Sequence, residues 1–383
     1  MLRKKSVIVL LVFSLIMLSA SGTLSAGFDV AAGAAVLMEA STGQLLFDKG
    51  SDTPLPPASI TKLMTLLLAL EAVEKGQVAW DEQVIASERV WRMGGSEMFL
   101  KIGQEVTFRD LLTGIAVVSA NDACIAVAEH LAGSEEVFVQ RMNERAAELG
   151  LTNSRFHNSS GIPAPGHEMS ARDIAVMSRH LIQNHPKVLE LYAQREFTFN
   201  NIRQFNRNPL LGRFPGADGL KTGWTDEAGY CLVGTAVQND VRLISVVLDT
   251  ADELARLTAS QELLNYGFRN FKMHTAAAAG GPIGEGVPVR DGRKLLAAVT
   301  SKEEVRVVLP EGREPGELEL LITNPANLQA PVTAGTSAAT LEVRLDGTTL
   351  TTAELVTAED IARANFFVRL LRTITSLFRN LFS

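Results

Sequence analysis

The chain has 383 residues and carries 36 Lys and Arg against 43 Asp and Glu, a formal net charge of −7. The lack of a basic excess argues against nucleic acid as a partner. Only two cysteines occur, Cys124 and Cys231, which argues against a disulfide scaffold and reads as two separate buried thiols. In chain order, Arg3, Lys4 and Lys5 precede an apolar run from Val7 to Leu18 and small residues up to Ala26. That is the order of a secretory signal peptide over residues 1–26, with a core too short for a confident membrane span. The remaining ~355 residues exceed one typical core, so two domains are expected.

Ala34 to Ala40 and Gln44 to Phe47, around Ser41-Thr42-Gly43, predict a hairpin. Pro54, Pro56 and Pro57 then hold the backbone extended. From Ser59 to Lys75 the sequence is apolar nearly all round and stops at Gly76, a pattern that predicts a buried helix. Helices are also expected over Thr107–Val118, Asn121–Ala132, Ser134–Leu149, Ser170–Asn184 and Asp252–Tyr266. Tyr230–Val237 and Val241–Leu248, joined by Gln238-Asn239-Asp240, predict two antiparallel strands. The first domain is placed at 27–275. A small-residue stretch around Ala276–Gly281 leads into a β-rich domain at 282–355, with strands near Val305–Val308, Leu318–Ile322 and Leu341–Leu345.

The chemistry starts from one lysine. Lys62 stands among Ile60, Leu63, Met64 and Leu66, and a lysine head is seldom buried unless it is paired or working. Ser59 and Lys62 are i and i+3, one helical turn apart on one face. A serine hydroxyl needs a base, and a lysine serves as one only when neutral, which takes burial or a neighbouring cation. Alone, the pair reads equally as a helix cap and a snorkelling side chain. It is, however, the only S-x-x-K in the chain. Ser119-Ala120-Asn121 and Lys221-Thr222-Gly223 follow in order, the second beside a predicted strand. These three motifs in this order are the serine acyl-transfer signature of β-lactamases and penicillin-binding proteins.

On these motifs, with "NSSGIP" at Asn158–Pro163 and "ADGLKTGWTDEAGY" at Ala217–Tyr230, the chain resembles the low-molecular-mass penicillin-binding proteins that are serine D-alanyl-D-alanine carboxypeptidases. The middle motif is S-A-N rather than S-D-N, as in this family and unlike class A β-lactamases. The resemblance implies an α+β fold: a β-lactamase/transpeptidase-like catalytic domain, its antiparallel sheet covered by helices on both sides, then a small β-rich domain and a C-terminal amphipathic helix. It implies that Ser59 attacks the terminal D-Ala–D-Ala peptide bond of peptidoglycan stem peptides, with Lys62 as base. Ser119 would pass a proton to the leaving D-alanine, and Asn121 would hold Lys62 and the substrate amide. Lys221 would be a second cation and Thr222 a ligand of the substrate carboxylate. Gly223 would leave room for the substrate strand, and Trp224 would share an oxyanion hole with Ser59 through backbone N–H groups. Family spacing adds Arg256 as a further carboxylate ligand. β-Lactams are the implied inhibitors.

No cofactor or metal is expected, since the six histidines show no metal-ligand spacing. His167 reads as structural. A Ser-His-Asp hydrolase lacks its G-x-S-x-G. A wall-binding module without turnover is opposed by the intact Ser59, Lys62 and Lys221. A β-lactamase or esterase on the same fold lacks the deacylating glutamate. From Glu359 to Ser383, Phe366, Phe367, Leu370, Leu371, Ile374 and Leu377 form an apolar stripe opposite Arg369, Arg372 and Arg379. This predicts an amphipathic helix over 358–383, lying on a membrane surface rather than packed on the β domain. The chain is therefore expected to be exported and held at the outer face of the cytoplasmic membrane.

Overall fold

The computed structural model describes residues 27–372, so the predicted signal peptide and the end of the tail lie outside the described residues. Residues 27–30, counted apart from the body that begins at Ala31, hold no regular secondary structure. The body is built on one antiparallel sheet of five strands: β1 (Ala34–Glu39), β2 (Leu45–Lys49), β7 (Ala217–Thr225), β8 (Gly229–Gln238) and β9 (Val241–Thr250). The order is β2-β1-β9-β8-β7, so the first hairpin joins strands from two hundred residues further on. The β8–β9 hairpin turns on Asn239 and Asp240, at φ 49° and 62°. Both residues tolerate the left-handed backbone that a two-residue turn of this twist requires.

Side chains alternate across the sheet. Val36, Met38, Ile244, Val246 and Leu248 join the main core, built with α1 (Lys62–Glu74), α3 (Phe108–Val117), α4 (Asn121–Ala132), α5 (Glu135–Glu148), α6 (Ala171–Asn184) and α7 (Lys187–Tyr192). A single-turn α2 (Glu88–Trp91) lies between α1 and α3. Leu37, Leu243 and Val247 are buried on the other face, where α8 (Glu253–Asn270) packs on β8 and β9. Helices thus cover both faces. The caps follow the sequence: Ser87, Thr107, Ser134, Ser170 and Asp252 each accept a backbone N–H at the start of α2, α3, α5, α6 and α8. Two small antiparallel pairs, β3 (Gln83–Ile85) with β4 (Glu105–Thr107) and β5 (Glu196–Phe199) with β6 (Ile202–Phe205), lie outside the sheet.

The C-terminal part is β-rich, around a second core that includes Val287, Val307, Leu309, Leu341, Val343 and Leu355. Here β10 (Phe271–Ala277) pairs with β14 (Val305–Pro310). Strands β11 (Val287–Arg290), β12 (Leu296–Ala297) and β16 (Leu328–Gln329) form a second sheet. Strands β13 (Val299–Ser301), β15 (Glu319–Thr323), β17 (Ser337–Leu345) and β18 (Thr348–Thr357) form the third. Pairing therefore begins at Phe271, before the small-residue stretch around Ala276–Gly281.

The tail differs from its predicted form. Residues 358–365 are not helical: Ile361 pairs with Val332 and is buried, Ala364 is buried, and Glu359 meets Lys294 at 2.5 Å. Ile361 and Ala364, buried with two exposed residues between them, let this segment complete the β-rich core. The chain is helical from residue 366 to 372, started by Asn365, whose side chain accepts from Val368 N at 2.9 Å.

Candidate active site

Ser59 sits in a 3₁₀ turn, Ala58–Thr61, that runs straight into α1. Its hydroxyl caps nothing, because the cap of this turn is Pro57 with no side-chain bond. Ala58, just before it, takes φ 47°, a backbone that strains a non-glycine residue by about 1–3 kcal/mol and marks the turn as held in place by its surroundings. One turn on, Lys62 has no exposed surface. Its Nζ lies 2.9 Å from Ser59 Oγ, 2.8 Å from Asn121 Oδ1 and 2.6 Å from the Ser160 carbonyl. Burial pulls the amine down from 10.5 to about 8, and the charge of Arg207 adds to the fall.

Asn121 opens α4 and is fixed by donating through Nδ2 to the Gly94 carbonyl at 2.8 Å. Ser119, two residues earlier, adopts φ 64° and is almost fully buried, yet its Oγ has no hydrogen-bond partner. It does not cap α4, whose cap is Ala120 without a side-chain bond. The third wall is the end of β7. Lys221 is buried, and its Nζ donates to the Thr222 carbonyl at 2.8 Å. Desolvation, then the charges of Lys62 and Arg207, hold Lys221 well below the usual lysine range. Arg207 thus joins Lys221 as a cation bearing on Lys62, since the repulsion between the two lysines is mutual.

Gly223 is closely packed against the Ser59 turn. A Cβ on it would come within 2.7 Å of the Pro57 carbonyl and 3.2 Å of Ala58 Cβ. Its missing side chain lets β7 press against the turn that carries Ser59, and the residue also lines the cleft. Trp224, at 53% exposure, stands on the rim beside Tyr230. Arg256, on α8, is buried and lies over the Tyr230 ring. Its Nη1 reaches the Gly223 carbonyl at 3.5 Å, its Nη2 meets Glu253 at 3.2 Å, and its Nε has no partner.

All nine expected residues come together: Ser59, Ser119, Asn121, Thr222, Gly223, Trp224 and Arg256 line one cleft of about 520 Å³, with Lys62 and Lys221 in its floor. Sequence reasoning missed Arg207, which lines the cleft and donates to Ser96 Oγ at 2.7 Å. It stands in no motif, in a connection leading to β7, and only tertiary folding aims it here. Ser160 was within a recognised run but had no role assigned; it supplies the carbonyl that seats Lys62. His167 stays out of the cleft, bonded to Thr61 Oγ1 at 2.8 Å, with burial lowering its pKa to about 4. Cys124 and Cys231 are free and buried, and burial pushes their thiols up to about 12 and 11. A second depression, of about 570 Å³ between Ser41, Arg179 and residues 301–306, holds none of the motif residues.

The family model described as D-alanyl-D-alanine carboxypeptidase matches residues 20–252, and that for the penicillin-binding protein 5 C-terminal domain matches residues 271–363. The chain is 36% identical to the D-alanyl-D-alanine carboxypeptidase DacF of Bacillus subtilis (strain 168) over 344 residues, covering 89% of this chain and 88% of the relative. It is 35% identical to DacA of Escherichia coli (strain K12) over 354 residues, covering 91% and 88%. Penicillin-binding protein 5 of Haemophilus influenzae superposes with a TM-score of 0.80 at 34% identity, covering 88% of this chain and 99% of that one. The ampicillin-bound form of penicillin-binding protein D2 of Listeria monocytogenes gives 0.58 at 34% identity, over 63% and 99%. With the paired serine and buried amine, the two matched family models and this extent of likeness, the chain belongs to the D-alanyl-D-alanine carboxypeptidase family of serine hydrolases.

Proposed function

We propose that Ser59 is the nucleophile through which this chain removes the C-terminal D-alanine from peptidoglycan stem peptides, and that the same serine is acylated by β-lactams. The observation that carries this is the set of three neighbours around Lys62 Nζ. Asn121 Oδ1 and the Ser160 carbonyl can only accept, so a neutral amine spends its two N–H groups on them and points its lone pair at the Ser59 hydroxyl. With a pKa near 8, an appreciable share of Lys62 is in that form at neutral pH.

Ser59 Oγ then bonds to the penultimate D-Ala carbonyl carbon as Lys62 takes its proton. The backbone N–H groups of Ser59 and Trp224 hold the oxyanion. The C–N bond breaks, and the leaving amine takes a proton through Ser119, whose hydroxyl has no competing partner. Water then cleaves the ester and frees the enzyme. Thr222 and Arg256 bind the substrate carboxylate, with Lys221 and Arg207 supplying positive field.

Intact-mass analysis after incubation with benzylpenicillin tests the nucleophile. One adduct is expected on the wild type and none on Ser59→Ala, together with release of free D-alanine from a pentapeptide by the wild type alone. An adduct that survives in Ser59→Ala overturns the assignment.

The same reading places the enzyme outside the cell, with the tail lying on the membrane. Among the described residues no helix is long and apolar enough to cross a membrane. Support comes from Phe366, Phe367, Leu370 and Leu371, which are exposed on the described start of the tail helix. An apolar face with arginines beside it suits an interfacial helix.

A further inference from the structure

Glu71 lies nine residues beyond Lys62 on α1, about 13 Å along the helix from the reacting groups. There α1 meets α5 and the end of α6. Glu71, His180 and His185 bring one carboxylate oxygen and one nitrogen of each imidazole within 4.8 Å of one another. Glu71 and His185 are buried and His180 is half-buried. With Glu74, Arg145 and Glu148 they line a depression of about 440 Å³.

A cation already sits between two of these groups, Glu71 and His180. Arg145 Nη2 lies 2.7 Å from Glu71 Oε1 and 3.1 Å from His180 Nε2. Its Nη1 holds the exposed Glu148 at 2.8 Å, which gives the guanidinium a second seat facing outward. Both ring nitrogens of His180 face N–H groups, Arg145 Nη2 and Asn184 Nδ2, each at 3.1 Å. A neutral imidazole accepts at only one nitrogen, so one donor there is mismatched. His185 Nδ1 lies 2.9 Å from Glu74 Oε1. That carboxylate holds the proton on Nδ1 and leaves the Nε2 lone pair, the arrangement by which outer carboxylates orient histidine ligands.

We propose that Glu71, His180 and His185 form a binding site for a divalent transition metal, best matched by Zn²⁺, which enters as Arg145 swings out to Glu148. Two imidazoles and one carboxylate are a zinc donor set, and water or Glu74 completes four-coordination. Ligands about 2.0–2.2 Å from zinc stand about 3.4 Å apart in a tetrahedron, so the side chains close in by up to about 1.4 Å. Three carboxylates, Glu71, Glu74 and Glu148, face two cations, Arg145 and Lys75, so the local charge favours the ion. The metal ties α1 to the end of α6 and takes no part in the chemistry at Ser59.

Calorimetric titration of the chelator-treated full chain with Zn²⁺, and visible absorption with Co²⁺, test the site. One ion per chain is expected, with the intense Co²⁺ bands of a four-coordinate site. His180→Asn and His185→Asn, each made alone, should weaken binding at least tenfold, in line with the usual effect of disturbing a metal shell. Arg145→Met removes the competing cation and should tighten it several-fold. β-Lactam acylation of each metal-site variant should match the wild type. Absence of Zn²⁺ binding, or affinity unchanged in both histidine variants, overturns the proposal.

Discussion

Moving the Lys62 amine from 10.5 to about 8 costs about 3 kcal/mol while it is charged, and burial is the main cause. The sign follows from the lowered value. Between about pH 8 and 10.5 the unfolded chain holds a proton that the folded chain does not, so this penalty is complete below pH 8 and is relieved as pH rises. The acylation rate depends on the neutral fraction. It should rise about tenfold per pH unit below 8 and level off above it, as stopped-flow acylation by benzylpenicillin can measure. A flat profile from pH 6 to 9 removes Lys62 as the base. Arg256 makes a separate prediction. Its buried guanidinium, with Nε lacking a partner, is suited to a charged acceptor in the cleft. Arg256→Ala should lower kcat/KM for a free-acid substrate by about 10- to 100-fold, equal to about 1.5–3 kcal/mol for a hydrogen bond to a charged group. A C-terminally amidated substrate should be nearly indifferent to the change. Equal losses on both substrates place Arg256 outside carboxylate binding.

Single turns, more than long elements, fix this cleft. The loop at 158–161 seats Lys62 through the Ser160 carbonyl and is itself clamped by Glu135, which accepts from Ser159 N at 2.9 Å and Oγ at 2.7 Å. Gly161 in that loop adopts φ 81°, and a Cβ there would land 1.8 Å from the Ala58 carbonyl. The loop and the Ser59 turn are in backbone contact. Gly161→Ala should therefore displace the turn, lowering stability by at least about 2 kcal/mol and acylation rate by about two orders of magnitude. Denaturant unfolding and acylation kinetics measure the two effects. A variant with wild-type values of both shows that the turn adjusts freely. The same logic applies to Gly223, whose bareness allows packing between β7 and the Ser59 turn.

Across the whole molecule, the catalytic part and the β-rich part are linked by Gln44. Its side chain donates to the Val308 carbonyl at 2.8 Å and accepts from Val308 N at 3.1 Å, as a strand residue would. The first hairpin is thus tied both to β9 and to β14. The course of residues 358–365 bears on how the tail can be removed. A deletion starting at 359 would strip Ile361 and Ala364 from the β-rich core and test stability instead of anchoring. Deletion of 366–383 leaves that core intact. The truncated enzyme should appear in the soluble fraction with unchanged activity on a soluble pentapeptide. Retention on membranes, measured by flotation, overturns the anchoring.

The sequence by itself pointed to the atoms proposed for the chemistry, since S-x-x-K, S-A-N and K-T-G are local patterns whose residue types suit acyl transfer. It also determined most of the elements. The apolar run from Ile60 to Leu70 can only be a buried helix, and Ser134, Ser170 and Asp252 mark helix starts by local capping. It misread the segment before Asn365 because helical spacing cannot reveal that a β-rich core lacks one strand-like cover. What only the tertiary structure decided are matters of convergence: Arg207 bearing on Lys62, Gly223 facing Pro57, and Glu71 meeting two histidines five residues apart. Fields, close backbone approaches and ligand sets depend on distances between segments remote in the chain. Those distances exist only once the sheet has joined β1 to β9 and packed the helices against it.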